Sequence, residues 1–358
     1  MLRGVLEVLQ PYEAGISVDE VSLRGRKPVK LNSNENPYPP PAAVIRAASE
    51  ALKKANRYPD FSYRRLKEKL SGYTGLPTEN ITVGSGASEV LDNVCKAVLE
   101  PLDRVVQPVP GYTMHLFLSM IRDVSPVYVE TEKDGFKIRA GNVLAASRDA
   151  KLVFLCSPNN PTGMSIDRQD IIDIVEGTRA VVVIDEAYYE FCGKTVADSV
   201  LDHDNLIVIR SMSKFFALAG LRVGYALASR EVAQNLEKVR LPFSISLPAA
   251  EAAMKALESL EYYEDVKKGI LMERERVLKR IREIGLEVYP SEANFLLVRL
   301  PDKPSGDELN RALMAQGIFV RNVSRMPGLS RNYLRITIGR RQENNRMLSG
   351  LKKLFSSC

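Results

Sequence analysis

A lysine can act as a nucleophile where its amine is kept from protonation beside groups that bind an anion. One segment of this chain offers that setting. Lys214 follows two hydroxyl residues, Ser211 and Ser213, and Arg222 stands eight positions beyond it. The hydroxyls and the guanidinium can hold a phosphate while the amine attacks a carbonyl carbon. Taken alone, the same residues also read as a Ser-rich turn before a helix, with a solvated lysine. Ser211-Met212-Ser213-Lys214 further satisfies the S-x-x-K pattern of serine acyl-transfer enzymes. That class expects K-T-G and S-D-N partners, and the chain offers only Gly193-Lys194-Thr195.

Asp185 ends the otherwise apolar run Val182-Val183-Ile184, where a buried carboxylate requires a partner. A protonated ring nitrogen is one such partner, and a helix cap or a structural ion pair is another. Tyr188 follows closely enough to reach the same ring. Cys156-Ser157-Pro158-Asn159-Asn160-Pro161-Thr162-Gly163 closes a further apolar run with a tight turn that carries the Asn160 amide, although turn chemistry alone accounts for most of it. Val83-Gly84-Ser85-Gly86-Ala87-Ser88-Glu89 leads into a helical pattern whose first N–H groups form an anion site. It narrowly misses G-x-G-x-x-G because Glu89 takes the last glycine's place, so a dinucleotide fold is the alternative at that segment.

These groups need a scaffold that brings them together. Residues 81–83, 104–107, 152–156, 180–184, 206–209 and 223–227 read as short strands, and residues 87–100 and 168–176 as helices between them. Near-continuous apolar strands alternating with helices predict an α/β fold with a mainly parallel sheet covered on both faces. Its binding groups are expected at the carboxyl ends of the strands. From residue 248 to 284 the pattern is helical, followed by strand-like runs at 294–299 and 333–338 and a basic helix at 341–355, which reads as a smaller α+β domain. The division expected is an N-terminal arm with part of the small domain over 1–40, a large domain over 41–243 and a small domain over 244–358.

Composition narrows the functional class. The 50 basic and 44 acidic residues leave +6 without a long Lys/Arg run, which argues against nucleic-acid binding. No run of about 18 apolar residues predicts a membrane span. Only His115 and His203 are present, neither within a Cys or carboxylate cluster, so no metal site is expected and both read as structural. Four cysteines without a C-x-x-C pair suit a reducing cytoplasm.

Together the motifs resemble the fold-type I aminotransferases that use pyridoxal 5'-phosphate (PLP), and more closely the histidinol-phosphate aminotransferase family. Leu31-Asn32-Ser33-Asn34-Glu35-Asn36-Pro37, Asn56-Arg57-Tyr58-Pro59 and Tyr333-Leu334-Arg335-Ile336-Thr337-Ile338-Gly339 extend the resemblance over nearly the whole chain. It implies a PLP-dependent transferase fold, with Lys214 carrying the cofactor as a Schiff base and Asp185 at its ring nitrogen. Ala87 and Ser88 would hold the cofactor phosphate together with Ser211, Ser213 and Arg222. The family often has Asp where this chain has Ser88. Tyr112 would stack on the ring, and Asn160 and Tyr188 would hydrogen-bond its oxygen. Tyr58 would reach the phosphate from the neighbouring subunit of a homodimer, while Tyr12, Arg321 and Arg335 would read the substrate's anionic end.

The implied reaction is reversible amino transfer between glutamate and imidazole acetol phosphate, giving L-histidinol phosphate and 2-oxoglutarate in histidine biosynthesis. Three rivals remain at this stage: a lyase like threonine-phosphate decarboxylase, an aminotransferase for aromatic amino acids, and a non-enzymatic binding protein on the same fold.

Overall fold

The computed structural model describes residues 3–9, 11, 27–132, 135–329 and 332–355. Its strands are β1 (Val29–Leu31), β2 (Ile81–Gly84), β3 (Arg104–Val109), β4 (Ser125–Glu130), β5 (Leu152–Cys156), β6 (Val181–Asp185), β7 (Leu206–Ser211), β8 (Gly224–Ala228), β9 (Glu287–Val288), β10 (Phe295–Arg299), β11 (Ile318–Asn322) and β12 (Tyr333–Thr337). Seven of them form a mixed sheet in the order β2-β8-β7-β6-β5-β3-β4. The run from β7 to β4 is parallel throughout, and β8 alone runs antiparallel to both its neighbours. Because β8 is reversed, its first residue Gly224 lies at the same edge as the carboxyl ends of β2 and β7.

The central strands are apolar because both faces are covered. In β5, β6 and β7, the runs Leu152–Cys156, Val182-Val183-Ile184 and Leu206–Ile209 are all buried. Polar residues enter only at the ends, as Asp185, Arg210 and Ser211. Helix Gly86–Val98 packs on this sheet through Val90, Leu91, Val94 and Cys95, spaced to fall on one helical face.

The second sheet has five strands in the order β1-β11-β12-β10-β9. Helix Gly306–Ala315 leads into it, started by a capping box in which Ser305 Oγ accepts from Glu308 N–H and the Glu308 carboxylate accepts from Ser305 N–H. The helical pattern expected over 248–284 is two helices, Leu247–Leu257 and Leu260–Glu283. They part at Glu258 and Ser259, where the Ser259 hydroxyl turns back to donate to the Lys255 carbonyl. Among the described residues no helix is long and apolar enough to cross a membrane.

One buried ion pair ties β6 to β7 just beyond their apolar runs. Glu186 and Arg210 lie 3.0 Å apart with side chains 2% and 4% exposed. Burial pushes the Glu186 carboxyl up, and Arg210, Val196 N–H and the Thr195 hydroxyl pull it back. The guanidinium also lies over the Tyr189 ring at 3.6 Å. Arg210→Met should destabilise the protein by about 3–5 kcal/mol, because Glu186 is left buried and unpaired. Urea unfolding of the variant checks this, and a loss below about 1 kcal/mol would mean that Glu186 escapes to solvent or to a new donor.

Candidate active site

A cavity of about 310 Å³ opens at the carboxyl edge of the large sheet, where the second sheet faces it. It gathers Ala87, Ser88, Tyr112, Asn160, Asp185, Tyr188, Ser211, Ser213, Lys214, Arg222, Arg321 and Arg335, which are far apart in sequence. Tyr58 does not line it. That ring is 81% exposed and stacks on Phe243 at 4.5 Å. Tyr12 lies outside the described residues.

One end of the cavity is built for an anion. Helix Gly86–Val98 begins with Ala87 and Ser88 in its first turn; the Glu89 carboxylate accepts from the Ser85 N–H, while the Ser85 side chain makes no cap bond, which leaves first-turn N–H groups to a ligand. Gly86 has φ +75°, and a Cβ there would run into the Arg222 guanidinium. A Cβ on Gly224 would run into the backbone nitrogen of Ala87. The two glycines therefore let a helix start, a strand start and a guanidinium crowd together. Arg222 Nη1 donates to Ser213 Oγ at 3.4 Å, and Ser213 N–H donates to Ser211 Oγ at 3.2 Å. Helix N-terminus, guanidinium and two hydroxyls together offer the donors and positive charge that suit an anion such as a phosphate.

Asp185, 2% exposed, occupies the floor. Its Oδ1 accepts from Ala187 N–H at 3.0 Å, and its Oδ2 lies 3.1 Å from His115 Nε2. The His115 ring is itself stacked flat on Phe154 at 4.7 Å. The sequence reads His115 as structural, and its contact specifies that role: with Ala187 N–H it holds the Asp185 carboxylate in place. The sequence signal was an ionisable residue among Met114, Leu116 and Phe117, which must find a partner when buried. The carboxylate retains lone pairs for a cationic ring nitrogen.

Lys214 is half-buried beside these groups, with Nζ donating to the Ser33 carbonyl at 2.9 Å. Burial first, then the charges of Arg335 and Arg222, press its amine down to about 8, against the opposing pull of Glu35 and Asp185. About a tenth is thus unprotonated at pH 7, far more than for an ordinary lysine, as nucleophilic and base roles both require.

The second sheet supplies cations from the opposite side. Arg335 on β12 is directly opposite Arg321 on β11 in the antiparallel register. Both side chains line the cavity, so this wall presents two guanidinium groups that an anionic ligand can meet. Arg335 Nη1 donates to Asn160 Oδ1 and Nη2 to the Asn32 carbonyl, both at 2.7 Å. Since Arg335 takes the Asn160 oxygen, the Asn160 amide keeps its N–H donors for a ring oxygen. Among the described residues there is no cluster of three or more groups able to hold a metal ion.

The sequence pattern of the family described as Aminotransferase class I and II matches residues 26–351. A histidinol-phosphate aminotransferase 2 of Archaeoglobus fulgidus is 45% identical over 357 residues, covering 99% of this chain and 100% of that protein. A histidinol-phosphate aminotransferase of Thermoanaerobacter pseudethanolicus is 39% identical, covering 91% of this chain and 93% of its own length. Among solved structures, a histidinol-phosphate aminotransferase of Sinorhizobium meliloti in complex with pyridoxal-5'-phosphate superposes with a TM-score of 0.91 at 27% identity. That match covers 99% of this chain and 98% of the other.

Proposed function

The chain belongs to the class I and II aminotransferases, and from that premise we propose that it moves an amino group reversibly between glutamate and imidazole acetol phosphate, forming L-histidinol phosphate and 2-oxoglutarate. The observation that carries this reading is the Lys214 amine set between a phosphate cradle and the opposed pair Arg321 and Arg335. The assay is chromatographic detection of histidinol phosphate from glutamate and imidazole acetol phosphate in the presence of PLP. Release of carbon dioxide without any need for a keto acid would establish a lyase instead.

The residues present fit PLP. The cradle of Ala87, Ser88, Ser211, Ser213 and Arg222 suits its phosphate, and Asp185 suits its ring nitrogen. Tyr112 suits the ring face, and Asn160 and Tyr188 suit the ring oxygen. Bound there, PLP supplies an electron sink that stabilises negative charge at the substrate carbon. Lys214 would hold the cofactor, and its amine would take a proton from the substrate carbon and return one. Asp185, oriented in part by His115, would pair with the protonated ring nitrogen. Arg335 and Arg321 orient the substrate through its anionic end, and the enclosure of the cavity limits water at the reacting carbon.

The working unit is a homodimer in which Tyr58 completes the partner's phosphate cradle, in a reducing compartment such as the cytoplasm. Tyr58, Phe61 and Phe243 form an exposed aromatic group with Leu241 close by in sequence, and such patches commonly mark protein contacts. Cys95, Cys156 and Cys192 are free thiols, as a reducing compartment favours. Tyr58→Ala and Lys214→Ala dimers, dissociated and reassociated together, should regain activity. Random exchange makes half the dimers hybrid with one intact site each, so about a quarter of the parental rate is the ceiling. No rise above either variant alone would remove Tyr58 from the neighbouring site.

A further inference from the structure

Asn34 lies in the strained left-handed region, at φ 53°, and is 1% exposed. Every polar group it owns is engaged. Its backbone N–H donates to Thr337 Oγ1 at 2.9 Å, and its carbonyl accepts from Asn294 Nδ2 at 3.0 Å. Its side-chain oxygen accepts from the Thr337 hydroxyl at 3.1 Å, and its Nδ2 donates to the Tyr188 hydroxyl at 2.9 Å.

These contacts fix the direction of a proton chain. A backbone N–H can only donate, so Thr337 Oγ1 accepts there and its own proton goes to Asn34 Oδ1. The amide must then turn its NH₂ toward Tyr188, whose oxygen becomes an acceptor on that side. The phenol's proton is thereby directed away from Asn34. Thr337 lies two residues after Arg335 on β12, so the chain ties the substrate-reading strand of the second sheet to a residue on the floor of the cavity.

We infer that Asn34 is a positioning residue that holds Tyr188 as a hydrogen-bond donor to the ring oxygen of the cofactor. This rests on the proposal that PLP occupies the cavity with its ring oxygen at Tyr188. Burial keeps the phenol neutral and so able to donate, and the charged or titratable groups facing it are Arg335, Cys156 and Asp185. A donor at the ring oxygen stabilises negative charge there and loosens the proton shared with the Lys214 nitrogen. Loss of that donor raises the pH at which the visible colour of the bound cofactor changes.

The test is a spectroscopic pH titration of the PLP-loaded protein, its Asn34→Asp, Asn34→Gly and Tyr188→Phe variants, and the double variant Asn34→Asp with Tyr188→Phe. Asp and Gly both tolerate the left-handed backbone, so the fold is kept. A carboxylate at 34 would accept the Tyr188 proton and withdraw it from the ring. Asn34→Asp and Tyr188→Phe should each raise the transition by about one pH unit, and Asn34→Gly by less. In the Tyr188→Phe background, Asn34→Asp should add little, since the effect travels through the phenol. An equal shift in both backgrounds would show a bare charge effect and overturn the inference, as would an unchanged transition in Asn34→Asp. A protein that forms no visible band with PLP would overturn the cofactor proposal as well, whereas a normal band indifferent to Asn34 would overturn the positioning role alone.

Discussion

Lys214→Met is expected to give a folded protein that loses amino transfer by about 10³-fold or more and yet, free of cofactor, is more stable than its parent at neutral pH. The first part follows from the geometry. Lys214 is the lysine lining the cavity, and its amine lies between the phosphate cradle and the arginine pair. The second follows from the burial of an ammonium group. Burial and neighbouring cations move the amine from 10.5 to about 8, so the folded state disfavours a charge that the unfolded chain carries freely. Between two and three units, at about 1.4 kcal/mol each, amount to a penalty of about 3 kcal/mol. Because the folded value is the lower one, the penalty is complete below pH 8. It fades as pH rises from there to the unfolded value near 10.5. Methionine fills much of the same space without the charge, so its advantage should be largest at pH 7 and nearly gone above pH 10.5. Urea unfolding of both cofactor-free proteins at the two pH values measures it. A constant difference across pH would mean packing rather than charge is responsible. Borohydride reduction of the PLP-loaded parent should label the peptide containing Lys214, and a label on any other lysine would sink the assignment.

The central strands were legible because their physics is local. A run such as Leu152–Cys156 or Leu206–Ile209, buried on both faces, carries its apolarity in the sequence, and Asp185 and Ser211 stood out as polar ends of apolar runs. What escaped was short or depended on distant partners. β1 has three residues, too few to show alternation, and gains its stability from pairing with β11 nearly 290 positions away. β4 carries Pro126 and only one fully buried residue, Val129, as an edge strand does. Cavity residues whose chemistry lies in their own type, such as Lys214 and Arg222, could be named in advance. His115 and Asn34 could not be given their places, because each matters through a contact with a residue 70 or 154 positions away.

The pair Arg321 and Arg335 should divide the two substrates between them. Arg335 is 8% exposed, held by Asn160 and Asn32, with its guanidinium 5.6 Å from the Phe295 ring centre. Such bracing presents a planar fork in one orientation, suited to bidentate contact with either a carboxylate or a phosphate. Arg321 on the adjacent strand brings a second cation to the same edge, and a phosphate ester carries more charge and more acceptor oxygens than the α-carboxylate of glutamate. A charge-assisted hydrogen bond is worth about 1.5–3 kcal/mol, or roughly 10- to 150-fold in kcat/KM. Arg335→Ala should therefore lower kcat/KM by about 10²-fold for glutamate and for histidinol phosphate alike, with some added loss because Asn160 is released. Arg321→Ala should lower it by about 10-fold or more for histidinol phosphate and much less for glutamate. Arg335→Lys should recover little, since an ammonium keeps the charge but cannot reproduce the fork held between Asn160 and Asn32. Equal losses for both substrates in Arg321→Ala would end its claim to phosphate selectivity, and unaltered kinetics in Arg335→Ala would mean that the anionic end is read elsewhere in the cavity.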